Sequence, residues 1–147
     1  MYWVAVACRQ HVLKGKEGGF MQVCHGKLGP LNKMRVGDGI LYYSPTEVLG
    51  ENKPCRRFTA IGKIQDKEPY LFPMSTDFIP WRRDVLFYTA QEVAIEPLID
   101  HLDFIVNKGK WGYPFRFGCF AISKEDFEYI AKNMGVKIGH ESTGELW

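Results

Sequence analysis

The chain reads as an α+β domain built on a small, strongly curved sheet or barrel of about five or six strands, with short helices at its flanks. Three observations predict this. The apolar runs are mostly of strand length. Fifteen Gly and eight Pro in 147 residues keep interrupting them. The few segments with helical period do not alternate with the strands, as βαβ units would require.

The elements follow in order. Residues 2–8 are rich in Val and aromatics and form a buried first strand. Residues 9–19 hold a short helix ended by the Gly18-Gly19 pair. Residues 20–30 are irregular, and 31–34 make one helical turn. Val36-Gly37-Asp38-Gly39 is a tight turn into a strand over 40–44, and 45–54 is a polar loop. A strand over 57–64 precedes a turn at 66–69, an extended run at 70–74 and a loop at 78–81. Residues 84–90, with Val, Phe and Tyr, form another strand. Ile95, Leu98, Ile99 and Leu102 share one face of a short helix with Pro97 in its first turn. The last strand lies within 115–122. Ser123-Lys124-Glu125-Asp126 opens a final helix as a capping box with Asp in the place of Glu or Gln. Phe127, Ile130, Ala131 and Met134 continue it at helical spacing, and Gly135 ends it. Residues 1–135 thus form one domain, and 136–147 a polar tail.

Composition excludes several classes. The net charge of +2 and a charged fraction of 24% exclude a heavily charged disordered chain. With a pI of 8.3, averaged charge makes no case for a general polyanion binder. Any nucleic-acid contact must come from local clusters. The start, Met1-Tyr2-Trp3-Val4, has no basic region and no long apolar stretch, so neither a secretory signal nor a membrane span is expected. Cys8, Cys24, Cys55 and Cys119 are scattered without a C-x-x-C, which fits reduced thiols in the cytoplasm.

Enzyme motifs are sparse. There is no G-x-S-x-G, P-loop or G-x-G-x-x-G, and Pro54-Cys55-Arg56-Arg57 lacks the second Cys of a zinc deaminase. His11, His101 and His140 lack metal-ligand spacing and are read as surface or packing residues. Cys24 is read as a small residue near a turn, since a nucleophile and its base are normally assembled across space. His25 is either a hydrogen-bonded loop histidine or a residue facing a ligand.

Two aromatic-basic clusters stand out: Phe78-Ile79-Pro80-Trp81-Arg82-Arg83, and Lys108-Gly109-Lys110-Trp111-Gly112-Tyr113-Pro114-Phe115-Arg116-Phe117-Gly118. Flat rings beside cations are what an unstacked base and its phosphates need. The same composition also describes core aromatics with arginines lying over them. Arg56-Arg57 is a weaker candidate, more in keeping with a solvated face.

The stretches Tyr2-Trp3-Val4-Ala5-Val6-Ala7, Gly19-Phe20, His25-Gly26-Lys27, Gly37-Asp38, Tyr42-Tyr43-Ser44-Pro45, Phe58-Thr59-Ala60-Ile61-Gly62, Pro80-Trp81-Arg82-Arg83-Asp84-Val85 and Trp111-Gly112-Tyr113-Pro114-Phe115-Arg116-Phe117-Gly118 resemble the EVE domain. This is a PUA-like family with YTH domains as relatives. The resemblance runs from Tyr2 to about Gly135, with Cys8 where Ser is expected. It implies a PUA-like pseudobarrel, a mixed sheet, and a pocket for one modified base such as methylated cytosine or adenine, used for reading and not for catalysis.

Joined to the clusters, it places Trp81 on the base, with Trp111 or Phe115 as second wall or support. Tyr43, Ser44, His25, Gly26 and Pro80 complete the pocket. Lys27, Arg82, Arg83, Lys110 and Arg116 meet phosphates or shape the rim. Such a pocket needs no metal and no cofactor. The expected partner is nucleic acid carrying a modified base, with no membrane and no metal. Two other functions compete. One is a module binding a small molecule or protein in the same pocket. The other is an enzyme acting on nucleic acid, with Asp84, Glu68 or His25 as acid or base.

Overall fold

The computed structural model describes residues 1–136. Its strands are β1 (Tyr2–Val6), β2 (Phe20–Met21), β3 (Gly39–Thr46), β4 (Pro54–Ile64), β5 (Tyr70–Leu71), β6 (Trp81–Phe87), β7 (Val93–Ala94) and β8 (Cys119–Ile122). Two α-helices, α1 (Arg9–Gly18) and α2 (Lys124–Asn133), and several 3-10 turns flank them. Six strands form one path, β2-β6-β4-β3-β1-β8, with β5 added on β6 and β7 on β4. β1 runs parallel to β3 and every other pair is antiparallel, so the sheet is mixed. It curls into a half-barrel, the pseudobarrel expected.

The curl has a local cause. The β3–β4 register slips between Tyr42 and Tyr43 and again between Ser44 and Thr46. Such bulges bend a strand and increase its twist. One end of β4 therefore pairs with β7 while the other pairs with β6.

Strand alternation then divides the interior. Val4, Leu41, Tyr43, Phe58 and Ile61 face a cluster closed by α2 and by the 3-10 helix Glu96–His101. Their neighbours Trp3, Ala5, Ile40, Tyr42 and Ala60 face a second cluster with Val12 of α1, Met21 and Leu31. Asp38 closes the barrel end by accepting from the N-terminal ammonium, the Trp3 indole and the Arg35 N–H. Burial alone would raise its carboxyl; those three donors outweigh it and hold the group below the ordinary value.

Some expected boundaries move. The last strand does lie within 115–122 but fills only its second half. Tyr113–Phe117 is a 3-10 turn ended by Gly118 at φ 75°, and β8 begins at Cys119. β6 begins at Trp81, not 84, because β5 and β2 pair with its first residues. β2 and β7 are two residues each, too short to show a period.

The capping box is half formed. The Ser123 hydroxyl accepts from the Asp126 N–H, but the Asp126 carboxylate accepts from the backbone N–H groups of Asp103 and Phe104. Asp126 thus ties the preceding loop to α2. Val136 is buried in the α2-side core and its N–H bonds the Ala131 carbonyl. The expected tail from 137 to 147 lies outside the described residues.

Candidate functional site

β6 presents the first cluster. Trp81 is half-buried against the second core. Arg82 and Arg83 are consecutive strand residues, so they leave opposite faces, and both faces are covered. Arg83 is fully buried: its guanidinium donates to the carbonyls of Leu31, Met34 and Asp66 and pairs with the Asp66 carboxylate at 2.7 Å. Arg82 lies between two rings, its Cζ 3.6 Å from the Phe20 centroid and 3.9 Å from that of Phe72, and donates to Gln22. Burial lowers its pKa. The expectation that Arg82 and Arg83 meet phosphates or shape the rim is therefore corrected: both are buried, and Arg83's donors together with the Arg82 Nε fasten β6 to the surrounding turns.

Above β6 sits the turn Cys24–Gly26, a run of three left-handed residues with φ 49°, 61° and 84°. Gly26 and Lys27 both donate to the Val23 carbonyl, which closes the turn. Only glycine takes this conformation without strain, and Cys24 and His25 pay about 1–3 kcal/mol each for it. The surroundings hold them there. A Cβ on Gly26 would lie 2.5 Å from Pro80 Cβ and 3.2 Å from the Phe78 ring. A Cβ on Gly118 would lie 2.9 Å from Cys24 Sγ. Close packing thus clamps the turn between Pro80 on one side and Gly118 on the other. His25 and Lys27 are exposed at its tip, and Phe78 is exposed beside it. The structure brings His25, Gly26, Pro80 and the start of β6 at Trp81 to one corner. Next to Gly118, burial pushes the Cys119 thiol up to about 12, so it stays protonated at neutral pH.

The second cluster divides differently. The Tyr43 and Phe115 rings stack with centroids 4.1 Å apart, and Trp111 meets both edge-on at 6.5 and 6.4 Å. Tyr43 and Phe115 are buried and Trp111 half-buried. Two rings already in contact leave no room for a third between them, so Phe115 and Tyr43 are core residues and not pocket walls. Ser44 is fully buried and hydrogen-bonded to Thr59 at 2.8 Å, which removes it as a reader of base edges.

Lys110 and Arg116 remain exposed, as do Tyr113 and Phe117. Tyr113, Phe117 and Lys110 border a groove of about 580 Å³, with Phe104 and Phe120 among its other walls. Sequence reasoning put Trp111 and Phe115 on the ligand side; the 3-10 period of three turns Phe115 inward and leaves Pro114 and Phe117 on one face. That period was the available signal.

Of the candidate acid-base groups, Asp84 is engaged within the sheet and Glu68 lies in solvent. Asp84 accepts from the Tyr70 hydroxyl at 2.6 Å, and burial together with this bond pushes the phenol up to about 12. Glu68 is exposed in the turn before β5. Among the described residues no group of three or more His, Cys, Asp or Glu is placed to hold a metal ion, and no helix is long and apolar enough to cross a membrane.

The sequence profile of the EVE domain matches residues 1–133. A UPF0310 protein of Mesorhizobium japonicum is 51% identical over 136 residues, covering 91% of each chain. The UPF0310 protein YdcG of Bacillus subtilis is 44% identical over 137 residues, covering 93% of this chain and 94% of its own. Among solved structures, a Pseudomonas syringae protein superimposes with a TM-score of 0.60 at 14% identity, over 91% of this chain and 99% of its own. A Leishmania major protein reaches 0.60 at 11% identity, over 91% and 94%. At such identities these two structures speak for the fold.

Proposed function

Since the chain belongs to the EVE domain family, we propose that it is a non-catalytic binding domain that recognises a modified, methylated base in DNA or RNA. Family and fold support a binding kind of function. The observation that carries the finer reading is the clamped left-handed turn Cys24–Gly26 beside Trp81. Backbone strain of this kind persists only where packing over-determines it, and it concentrates at ligand sites. Here it sets His25 and the Gly26 backbone next to Pro80, Phe78 and Trp81.

In this reading Trp81 and Phe78 supply the aromatic surface for the base and for its methyl group. His25 and the turn backbone read the polar edges. Lys27 meets a flanking phosphate. Arg82 and Arg83 act one step back, by keeping β6 and its neighbouring turns in place.

The test is fluorescence-anisotropy titration of methylated and unmodified DNA and RNA oligonucleotides against wild type and Trp81→Ala. Stacking is worth about 1–3 kcal/mol per base. The methylated form should therefore bind more tightly to wild type, and Trp81→Ala should lose about 5- to 150-fold. Equal affinity across all these combinations overturns the proposal.

A further inference from the structure

We propose that the aromatic groove beside β8 is a second binding site, for a nucleotide that neighbours the base read at the His25–Trp81 corner; the assignment rests on that reading. Four observations carry it. The groove, of about 580 Å³, falls within the size range of small-ligand sites. Four of its walls are rings, beside aliphatic Ile105, Val106, Pro114 and Ala121: Phe104 and Phe120 are half-buried, while Tyr113 and Phe117 are 57% and 60% exposed and held edge-to-face at 5.5 Å. Exposed rings on a fixed turn are a stacking surface for any base.

Charge points the same way. Residues 104–122 include Lys108, Lys110 and Arg116 and no Asp or Glu. The Arg116 guanidinium stands 5.9 Å from the Tyr113 centroid. Of the nearby carboxylates, Asp126 is bound to the N–H groups of Asp103 and Phe104, and Asp103 is exposed just before the span. A groove with rings, Lys110 on its wall and Arg116 beside Tyr113 suits a base that carries a phosphate.

The site is also stiff and connected. Asp126 anchors the loop at 103–104, Lys108 Nζ donates to the Leu102 carbonyl, and the Asn107 side-chain oxygen accepts from the Gly109 N–H. Phe117 is followed by Gly118, which packs on Cys24 of the left-handed turn. Gly118 therefore joins the turn that carries Phe117 to the turn that carries His25, and the proposal takes one strand of nucleic acid to span the two.

The experiment measures two ligand series on wild type, Trp81→Ala and the double variant Tyr113→Ala/Phe117→Ala, with circular dichroism to verify folding. The first series is a methylated oligonucleotide of one, three and five nucleotides, followed by anisotropy. The second is free nucleoside 5′-monophosphate, followed by amide chemical shifts. Lengthening from one to three nucleotides should tighten wild-type binding about tenfold or more. The double variant should lose that gain and keep its preference for the methylated base, whereas Trp81→Ala should lose the preference. An undiminished length gain in the double variant overturns the groove assignment while leaving the corner reading intact. If wild type binds no oligonucleotide, the corner reading fails and the monophosphate series decides. Shifts at Tyr113 and Phe117 then retain the groove as a free-nucleotide site, and their absence removes it.

Discussion

The two aromatic-basic clusters look alike in sequence and are used in opposite ways. In the first, on β6, the cations go inward: Arg83 is wholly buried and Arg82 lies between Phe20 and Phe72. In the second, on a 3-10 turn, the cations stay outside, and two of its rings, Tyr43-stacked Phe115 and edge-on Trp111, turn inward. The difference comes from period and neighbours. A strand covered on both faces buries successive residues whatever their charge, provided each donor finds an acceptor. A three-residue period leaves one side of the turn in water. A cation next to a tryptophan is thus not evidence of a phosphate contact until its strand environment is known.

The largest expected effect tests the inward half of both clusters. Arg83→Leu removes the ion-pair partner of Asp66 and the guanidinium donors to the Leu31, Met34 and Asp66 carbonyls, and should cost about 3–5 kcal/mol in urea denaturation. Phe115→Ala should cost about as much by opening a cavity. A loss below 1 kcal/mol in Arg83→Leu would break the contrast, because the guanidinium would then have an alternative outside. A middle-sized effect is expected at the clamp. Gly26→Ala puts a Cβ against Pro80 at φ 84° and should cost about 1–3 kcal/mol, with weaker oligonucleotide binding. Unchanged stability there would show that the turn relaxes freely. The smallest effect belongs to the outward half: Phe117→Ala should change stability by no more than about 0.5 kcal/mol. A thermal melt that drops like that of Phe115→Ala would move Phe117 into the core and sharpen the boundary differently.

Much of the fold could be read from the residues. The strand at 2–8, the helix stop at Gly18-Gly19, the turn at 36–39 and the Ser123 cap each follow from local chemistry: alternation, left-handed glycine, a hydroxyl accepting an N–H. The site was legible only in part. His25, Gly26, Pro80 and Trp81 do meet at one corner, but nothing local announces that Cys24 and His25 take left-handed φ, since packing by Pro80 and Gly118 imposes it. Ser44 and Tyr43 look available in sequence and are sealed by Thr59 and Phe115.

Period, punctuation and capping are properties of neighbouring residues, and so the sequence by itself determined an α+β chain of short strands with aromatic and basic side chains grouped in two places. Which of those side chains face water depends on contacts between residues tens of positions apart, such as Arg83 with Leu31 and Asp66, or Gly118 with Cys24. Only the tertiary structure decided that, because burial is set by what the curled sheet brings over each face and not by the residue that is covered.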